Sequence, residues 1–175
     1  MIGKIDVRQI VSDHFSTLTN ENTKRTSFAD CVLFFALPTA VAAGLISFHL
    51  IFGRTIGGVL ITALSIFAGL LFNLLLLIFD IGNKPRAQQE KLSPIKIRFL
   101  REIYSNISYS ILIALLTIVV LLIHFGFLVL GIRPSMYLTA FLVYAMTGNF
   151  VLTLLMVLKR VHKLLAEEFP KSSQN

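Results

Sequence analysis

Polar and small residues recur at helical spacing inside a long apolar segment in the first half of the chain. Thr62, Ser65, Gly69 and Asn73 follow one another at intervals of three, four and four residues, which places them on one face of a helix. A polar group without a partner costs on the order of several kcal/mol in hydrocarbon. We therefore expect this face to make hydrogen bonds, either to another helix or to water and ions in a polar path.

Two later apolar segments carry further polar residues. Asn106, Ser110 and Thr117 share one helix face of the third segment, and Asn149 lies in the fourth. One interpretation is interhelical hydrogen bonding that fixes the packing, at roughly 0.6–2 kcal/mol for each bond. The other is a polar stripe that lines a water-filled path in an oligomer. Both interpretations stay open, because a pore wall is also an interface between helices.

Most of the basic residues lie outside the apolar segments, and the chain carries a formal net charge of +7. Those that follow the second and fourth segments form a candidate site for an anionic ligand or a partner: Lys84, Arg86, Lys91, Lys96, Arg98, Arg101, Lys159, Arg160 and Lys163. Membrane topology and contact with anionic lipids explain such a cluster. An oligonucleotide on the cytoplasmic side and a soluble protein are the alternative partners.

The sequence carries no motif of a common enzyme class. It has no HExxH zinc site, no P-loop, no GxSxG nucleophile and no CxxC pair, so we predict neither an enzymatic activity nor a cofactor. Its single cysteine, Cys31, excludes an internal disulfide and a cysteine metal cluster. We predict no metal site.

Four apolar segments have to position the polar residues. Hydrophobic residues make up 55% of the chain and charged residues only 14%, unlike the composition of a soluble domain. A helix needs about 20 apolar residues to cross a hydrocarbon core of about 30 Å. We predict an all-α polytopic membrane protein whose transmembrane domain, residues 28–158, holds four spanning helices at residues 28–52, 56–79, 107–130 and 136–158.

Polar regions flank these helices. They are an amphipathic N-terminal segment, a basic hinge between the second and third helices, and a C-terminal tail, at residues 1–27, 80–106 and 159–175. Every Lys and Arg except Arg54 and Arg133 lies in one of these regions. The positive-inside rule then predicts that the hinge and both termini are cytoplasmic.

Local signals predict three features of the helices. Pro38 should kink the first helix, and a neighbouring group should bond the carbonyl that it leaves free. The short turn at residues 53–55 should make the first and second helices antiparallel neighbours. Pro94, with Ser93 as the N-cap, should begin a helix that continues to Leu130.

Two segments resemble those of small four-helix membrane effectors of bacterial anti-phage systems: KIRFLREIYSNISYSILIALL and NFVLTLLMVLKRVHKLLAEEF. The Rex exclusion protein of lambda-like phages is similar in its basic juxtamembrane segment, its Tyr-bearing third helix and its polar tail. The membrane subunits of the Kiwa and Hailong systems are similar in layout. The resemblance covers residues 28–168 and implies an oligomeric effector that depolarises the bacterial inner membrane during infection. Its Hailong-like form also implies control by a nucleic-acid ligand.

From these features we expect a homo-oligomeric, channel-like effector of phage defence that perturbs or depolarises the inner membrane. Its partners would be the lipid bilayer, further copies of the chain and, on the cytoplasmic side, an oligonucleotide or a soluble defence protein. The alternative is a non-conducting scaffold or regulatory subunit that docks a soluble partner. A small secondary transporter fits the sequence less well, since no carboxylate lies deep in a predicted span and no inverted repeat is visible.

Overall fold

The computed structural model of the chain describes residues 7–17, 32–82 and 94–168. Throughout this part the regular secondary structure is helical and no strand is present, which confirms the predicted all-α class. The helices, in chain order, are α1 (Arg8–Thr17), a π-helical segment (Val32–Ala36) that leads into α2 (Leu37–Ser47), α3 (Arg54–Gly82), α4 (Pro94–Leu130) and α5 (Arg133–Glu168).

Three of these helices are long and apolar enough to cross a membrane, which indicates a membrane protein. They are α3, α4 and α5, over Arg54–Ile81, Ile97–Leu130 and Arg133–Lys163. The remaining apolar helix is shorter and runs over Val32–Ser47. The predicted first span begins at residue 28, and residues 28–31 lie outside the described residues.

The polar regions of the chain are described only in part. Residues 1–6, 18–27, 83–93 and 169–175 lie outside the described residues, and residues 83–93 belong to the predicted hinge. α4 begins at Pro94, as predicted, and α3 continues to Gly82, three residues beyond the predicted end of the second span. The last helix begins at Arg133, three residues before the predicted start, with Pro134 in its first turn. A proline is tolerated there because the first N–H groups of a helix have no partner within the helix.

The connection between α2 and α3 differs from the prediction. α2 ends at Ser47, His49 has a φ of 55°, and residues 48–53 are not helical, so the connection is longer than the predicted turn. A connection of this length can carry the chain away from its starting helix, and α2 packs on α5 rather than on α3. The prediction that the first two helices are neighbours was wrong, because the apolar run after Ser47 shows no sign of the break.

The central helix of the structure is α4. Both α3 and α5 pack on it, α1 packs near its amino end, and α2 with the π-helical segment packs on α5. On α3 the buried seam repeats every seven residues through Leu64, Leu71 and Ile78, a spacing typical of left-handed helix pairs. The core residues of α4 and α5 are Ile103, Ile107, Ala114, Leu121, Ala140, Val143, Phe150 and Val157.

Pro38 lies where α2 begins and helps to fix this helix on α5. In a regular α-helix the N–H of residue 38 would bond the carbonyl of Phe34, but proline has no N–H. The Nδ2 of Asn149, on α5, donates to that carbonyl at 3.0 Å. A Cβ added at Gly148 would lie 3.0 Å from the Cβ of Pro38, so the glycine permits this close approach. The predicted neighbour of the freed carbonyl is therefore Asn149.

At the opposite end of α4, His124 is fully buried and joins three elements. Its Nδ1 lies 2.7 Å from the hydroxyl of Thr139 on α5, and its Nε2 lies 3.4 Å from the carbonyl of Phe52. The hydroxyl of Tyr144 donates to the carbonyl of Leu50 at 3.2 Å. Side chains of α4 and α5 thus supply partners for the non-helical connection between α2 and α3.

Candidate functional site

The inner polar residues of α4 and α5 lie at contacts within a single copy of the chain. Asn106, Ser110 and Thr117 are fully buried, and Asn149 is 7% exposed. Each of them has a hydrogen-bond partner inside the chain. None of these four residues therefore depends on a second copy to satisfy its side chain.

Asn106 anchors α1 to α4. Its Oδ1 lies 2.8 Å from Nδ1 of His14 and accepts a hydrogen bond from the hydroxyl of Thr17 at 3.0 Å. Its Nδ2 donates to the carbonyl of Glu102 at 2.8 Å. Since an amide oxygen can only accept, His14 carries its proton on Nδ1. The buried Nε2 of His14 has no hydrogen-bond partner among the described residues.

Tyr109 and Asn149 continue this contact from α4 to α5. The Tyr109 hydroxyl donates to Oδ1 of Asn149 at 3.1 Å, and the imidazole ring of His14 is stacked on the Tyr109 ring. His14, Asn106, Tyr109 and Asn149 form one buried polar group, named the inner cluster. Through Phe34, which accepts from Asn149, the inner cluster joins α1, α4 and α5 to the π-helical segment.

Three other buried hydroxyls bond their own helices. Ser110 donates to the carbonyl of Asn106 at 2.9 Å and Thr117 to that of Ile113 at 2.7 Å. Thr153 donates to the carbonyl of Asn149 at 2.9 Å. Bonds to the residue four positions earlier satisfy a buried hydroxyl without a second helix. These hydroxyls lie in helix contacts without linking the helices.

The polar face of α3 points away from the rest of the chain. Thr62, Ser65, Gly69 and Asn73, named the outer stripe, are all exposed, whereas the apolar seam of α3 faces α4. The hydroxyl of Thr62 donates to the carbonyl of Gly58 at 3.0 Å. Neither Ser65 nor Asn73 has a side-chain hydrogen bond with any described residue. The outer stripe is therefore only partly satisfied by hydrogen bonds within the described part of the chain.

Asn73 lies well inside the apolar part of α3. At 1.5 Å per residue, its distance along the helix from Phe79 is about 9 Å. The exposed residues around it are apolar, with Phe72 at 52% and Leu76 at 47% exposure. Hydrocarbon offers no donor or acceptor, so an amide at this depth needs a partner from another copy of the chain or from water.

Basic residues of α4 and α5 come together at one end of the structure. Arg98 on α4 and Arg160 on α5 both contact the carboxylate of Glu102, at 3.2 and 3.3 Å. Arg160 also donates to the carbonyl of Thr17, at 2.9 Å, and so holds the carboxyl end of α1. The Nζ of Lys163 lies 4.9 Å from the ring centroid of Phe99, which adds a second contact between α5 and α4.

Other predicted basic residues make no such link in the described part of the chain. Arg101 and Lys159 are exposed on α4 and α5. Lys96 lies in the first turn of α4, where only the backbone is described. Lys84, Arg86 and Lys91 lie outside the described residues. The structure therefore brings only part of the predicted anionic-ligand set to one end.

No family model, curated protein or solved structure matches this chain. Function has to be inferred from the geometry of its polar residues. Within residues 7–17, 32–82 and 94–168, no three His, Cys, Asp or Glu side chains come together as a metal site. In this part of the chain, the polar side chains can bind a ligand through hydrogen bonds and through charge.

His14 is a member of the inner cluster that was not predicted as a site residue. It is fully buried, whereas Val7 at the start of the same helix face is 39% exposed. The sequence feature that could have identified His14 as a site residue is its position. His14 follows Val11 by three residues and Ile10 by four, on the apolar face of α1. A polar residue on an apolar helix face indicates a specific buried partner, which here is Asn106.

Proposed function

We propose that this protein is a homo-oligomeric, channel-like effector of the bacterial inner membrane, in which the outer stripes of neighbouring copies face one another. Four helices cross the membrane, with the hinge and both termini in the cytoplasm. The oligomer depolarises the membrane during phage infection. The outer stripe supports the assembly, and the resemblance in layout to small four-helix effectors supports the role in defence.

The observation that carries this proposal is that Asn73 has no hydrogen-bond partner among the described residues. In an oligomer its amide would find a partner in the neighbouring copy or in water along a central path, and the cost of leaving it unpaired in lipid would disappear. Small residues on the same face permit a close approach. A Cβ added at Gly58 or Gly69 would have nothing within 4 Å, so another backbone can approach α3 there.

The helix that faces the oligomer axis in this proposal is α3 rather than α4. The predicted stripe residues of α4 are occupied by the inner cluster and by the carbonyls of α4 itself, whereas Ser65 and Asn73 of the outer stripe remain available. Asp80 is exposed and lies seven residues after Asn73, so it extends the outer stripe towards the hinge. Copies around an axis would place a ring of carboxylates at this end, a feature typical of cation pores.

A non-conducting scaffold is the second candidate, and the exposed basic residues favour it. Arg101, Lys159 and Lys163 are all exposed at one end of the structure, where an acidic protein or an oligonucleotide could bind. Reversal of these charges separates the candidates. A scaffold would lose recruitment of its partner, whereas a channel would keep its depolarisation with altered gating or ligand affinity.

A voltage-sensitive dye in bacteria that express the chain, alone and during phage infection, tests the proposal. Asn73→Leu removes the amide but leaves the buried seam of α3 intact, so we expect normal membrane insertion and no depolarisation. Ile56→Ala is the matched control, because Ile56 is 64% exposed on the same helix but about 100° around the helix from Asn73. This variant should depolarise the membrane as the wild type does.

Two outcomes would count against the channel. Equal depolarisation by Asn73→Leu and the wild type would show that the outer stripe does not form the conducting path. A steady membrane potential in the wild type, with its neighbouring genes present and during infection, would favour the scaffold.

A further inference from the structure

A cavity of about 520 Å³ opens between α1 and α4 at the basic end of the structure. This volume falls within the range of about 300–1,000 Å³ that small-molecule sites usually have. The wall is formed by charged residues and hydroxyl groups, and α1 contributes one side of it. The cavity lies outside the outer stripe and takes no part in the proposed assembly.

Charges of both signs line this cavity without neutralising each other. Arg98 and Arg101 contribute guanidinium groups, and Asp13 and Glu102 contribute carboxylates. Glu102 is already held by Arg98 and by Arg160. Neither Arg101 nor the carboxylate of Asp13 has an ion-pair partner among the described residues. One cation and one anion therefore remain available to a ligand.

Ser105 gives an independent sign that the cavity takes a polar ligand. It contributes to the wall of the cavity and is only 7% exposed. Its buried Oγ has no hydrogen-bond partner in the described part of the chain, although Ser110 on the same helix bonds the carbonyl four residues before it. A buried hydroxyl without a partner is uncommon and indicates a missing donor or acceptor.

Along α4, the cavity lies on the hinge side of the hydrocarbon core, next to the headgroup layer of a bilayer. The apolar candidate span of α4 covers 34 residues, Ile97–Leu130, and its length at 1.5 Å per residue exceeds the hydrocarbon core of about 30 Å. If Leu130 marks the far edge of the core, the near edge lies roughly at residue 111. Residues 98–105, which carry the wall of the cavity, then begin about 9 Å beyond this edge, next to a headgroup layer about 5–8 Å deep.

We propose that this cavity binds a phosphate ester that carries an amine, the chemistry of a zwitterionic phospholipid headgroup. The phosphate would accept hydrogen bonds from Arg101 and Arg98, the ammonium would lie near Asp13, and Ser105 would contact the phosphate oxygens. A purely anionic group would leave Asp13 unpaired, and a purely cationic group would face two arginines. Because α1 forms one wall, the ligand also stabilises the docking of α1 on α4.

Native mass spectrometry of the purified full-length protein tests this proposal. The protein is equilibrated in detergent with phosphatidylethanolamine or with phosphatidylglycerol of the same acyl chains. We expect about tenfold stronger retention of the ethanolamine lipid. Arg101→Gln should lose both lipids, whereas Asp13→Asn should retain lipid without the preference. Arg133→Gln, which changes an exposed arginine at the other end of the structure, is the matched control and should behave as the wild type.

Competition with soluble glycerophosphoethanolamine distinguishes the two sources of this chemistry. Displacement of the lipid by the soluble headgroup at millimolar concentration supports a soluble ligand, and a lack of displacement supports a membrane lipid. Equal retention of the two lipids by the wild type would overturn the proposal. Retention by Arg101→Gln equal to that of Arg133→Gln would overturn it as well. None of these experiments measures depolarisation. Their result therefore does not depend on whether the protein is a channel.

Discussion

The imidazole ring of His14 lies flat on the phenol ring of Tyr109, with 3.8 Å between the ring centroids and 1° between the ring planes. This stack joins the short helix α1 to the amino-terminal half of the long helix α4. The Tyr109 hydroxyl in turn donates to Asn149 on α5. Displacement of α1 would therefore change the contacts of α5 as well as those of α4. The docking of α1 is thus built into the buried polar core of the protein.

Acid should weaken the docking of α1. Burial is the main cause that lowers the pKa of His14 from 6.5 to about 4, and the nearby Arg160 lowers it further, while the hydrogen bond to Asn106 acts in the opposite direction. The guanidinium of Arg160 is in turn paired with the carboxylate of Glu102, at 3.3 Å. An undocked His14 would titrate near its ordinary value, so protonation favours the undocked state as the pH falls through 6.5 towards 4.

Hydrogen exchange of residues 8–17, corrected for intrinsic rates, measures this effect. We expect the docking constant to fall about tenfold between pH 7.5 and pH 5.5, because the undocked histidine gains its proton over that interval. His14→Phe keeps an aromatic ring against Tyr109 but cannot titrate, so its protection should not change with pH. The same pH dependence in His14→Phe would show that another group controls the docking.

Gly57 and Gly58 should differ in their tolerance of a methyl group, although they are neighbours. A Cβ at Gly57 would lie 2.5 and 2.6 Å from two ring atoms of Phe125, whereas a Cβ at Gly58 would meet nothing within 4 Å. Gly57→Ala therefore forces the Phe125 ring to move, at a cost of about 1–3 kcal/mol. Thermal unfolding in detergent should give Gly57→Ala a lower midpoint than Gly58→Ala. Equal midpoints would show that the α3–α4 contact repacks without cost.

The long helices could be predicted from the sequence because their signals are local. Apolar length predicted α3, α4 and α5, and the proline at position 94 marked the start of α4. The end of α2 could not be predicted in this way. The residues from Phe48 to Phe52 are as apolar as the helix before them, and the break is fixed by distant side chains, among them Tyr144, which bonds the carbonyl of Leu50.

The candidate site could be predicted only in part from the sequence, for a related reason. Helical spacing predicted that Thr62, Ser65, Gly69 and Asn73 share a face, but spacing does not tell whether a face points into the chain or away from it. Asn106 and Asn73 give equivalent signals in the sequence, yet the first is fully buried against α1 and the second is exposed. The difference depends on which helices become neighbours, and that is a property of the whole fold.

Disulfide cross-linking in native membranes tests the central claim most directly. Gly69 lies in the outer stripe, and Leu70 is its neighbour at the same depth, 59% exposed but turned by about 100° around the helix. With Cys31 replaced by serine, we expect Gly69→Cys to form disulfide-linked dimers rapidly under mild oxidation and Leu70→Cys to remain largely monomeric. Cross-linking of Leu70→Cys that equals or exceeds that of Gly69→Cys would contradict assembly through the outer stripe.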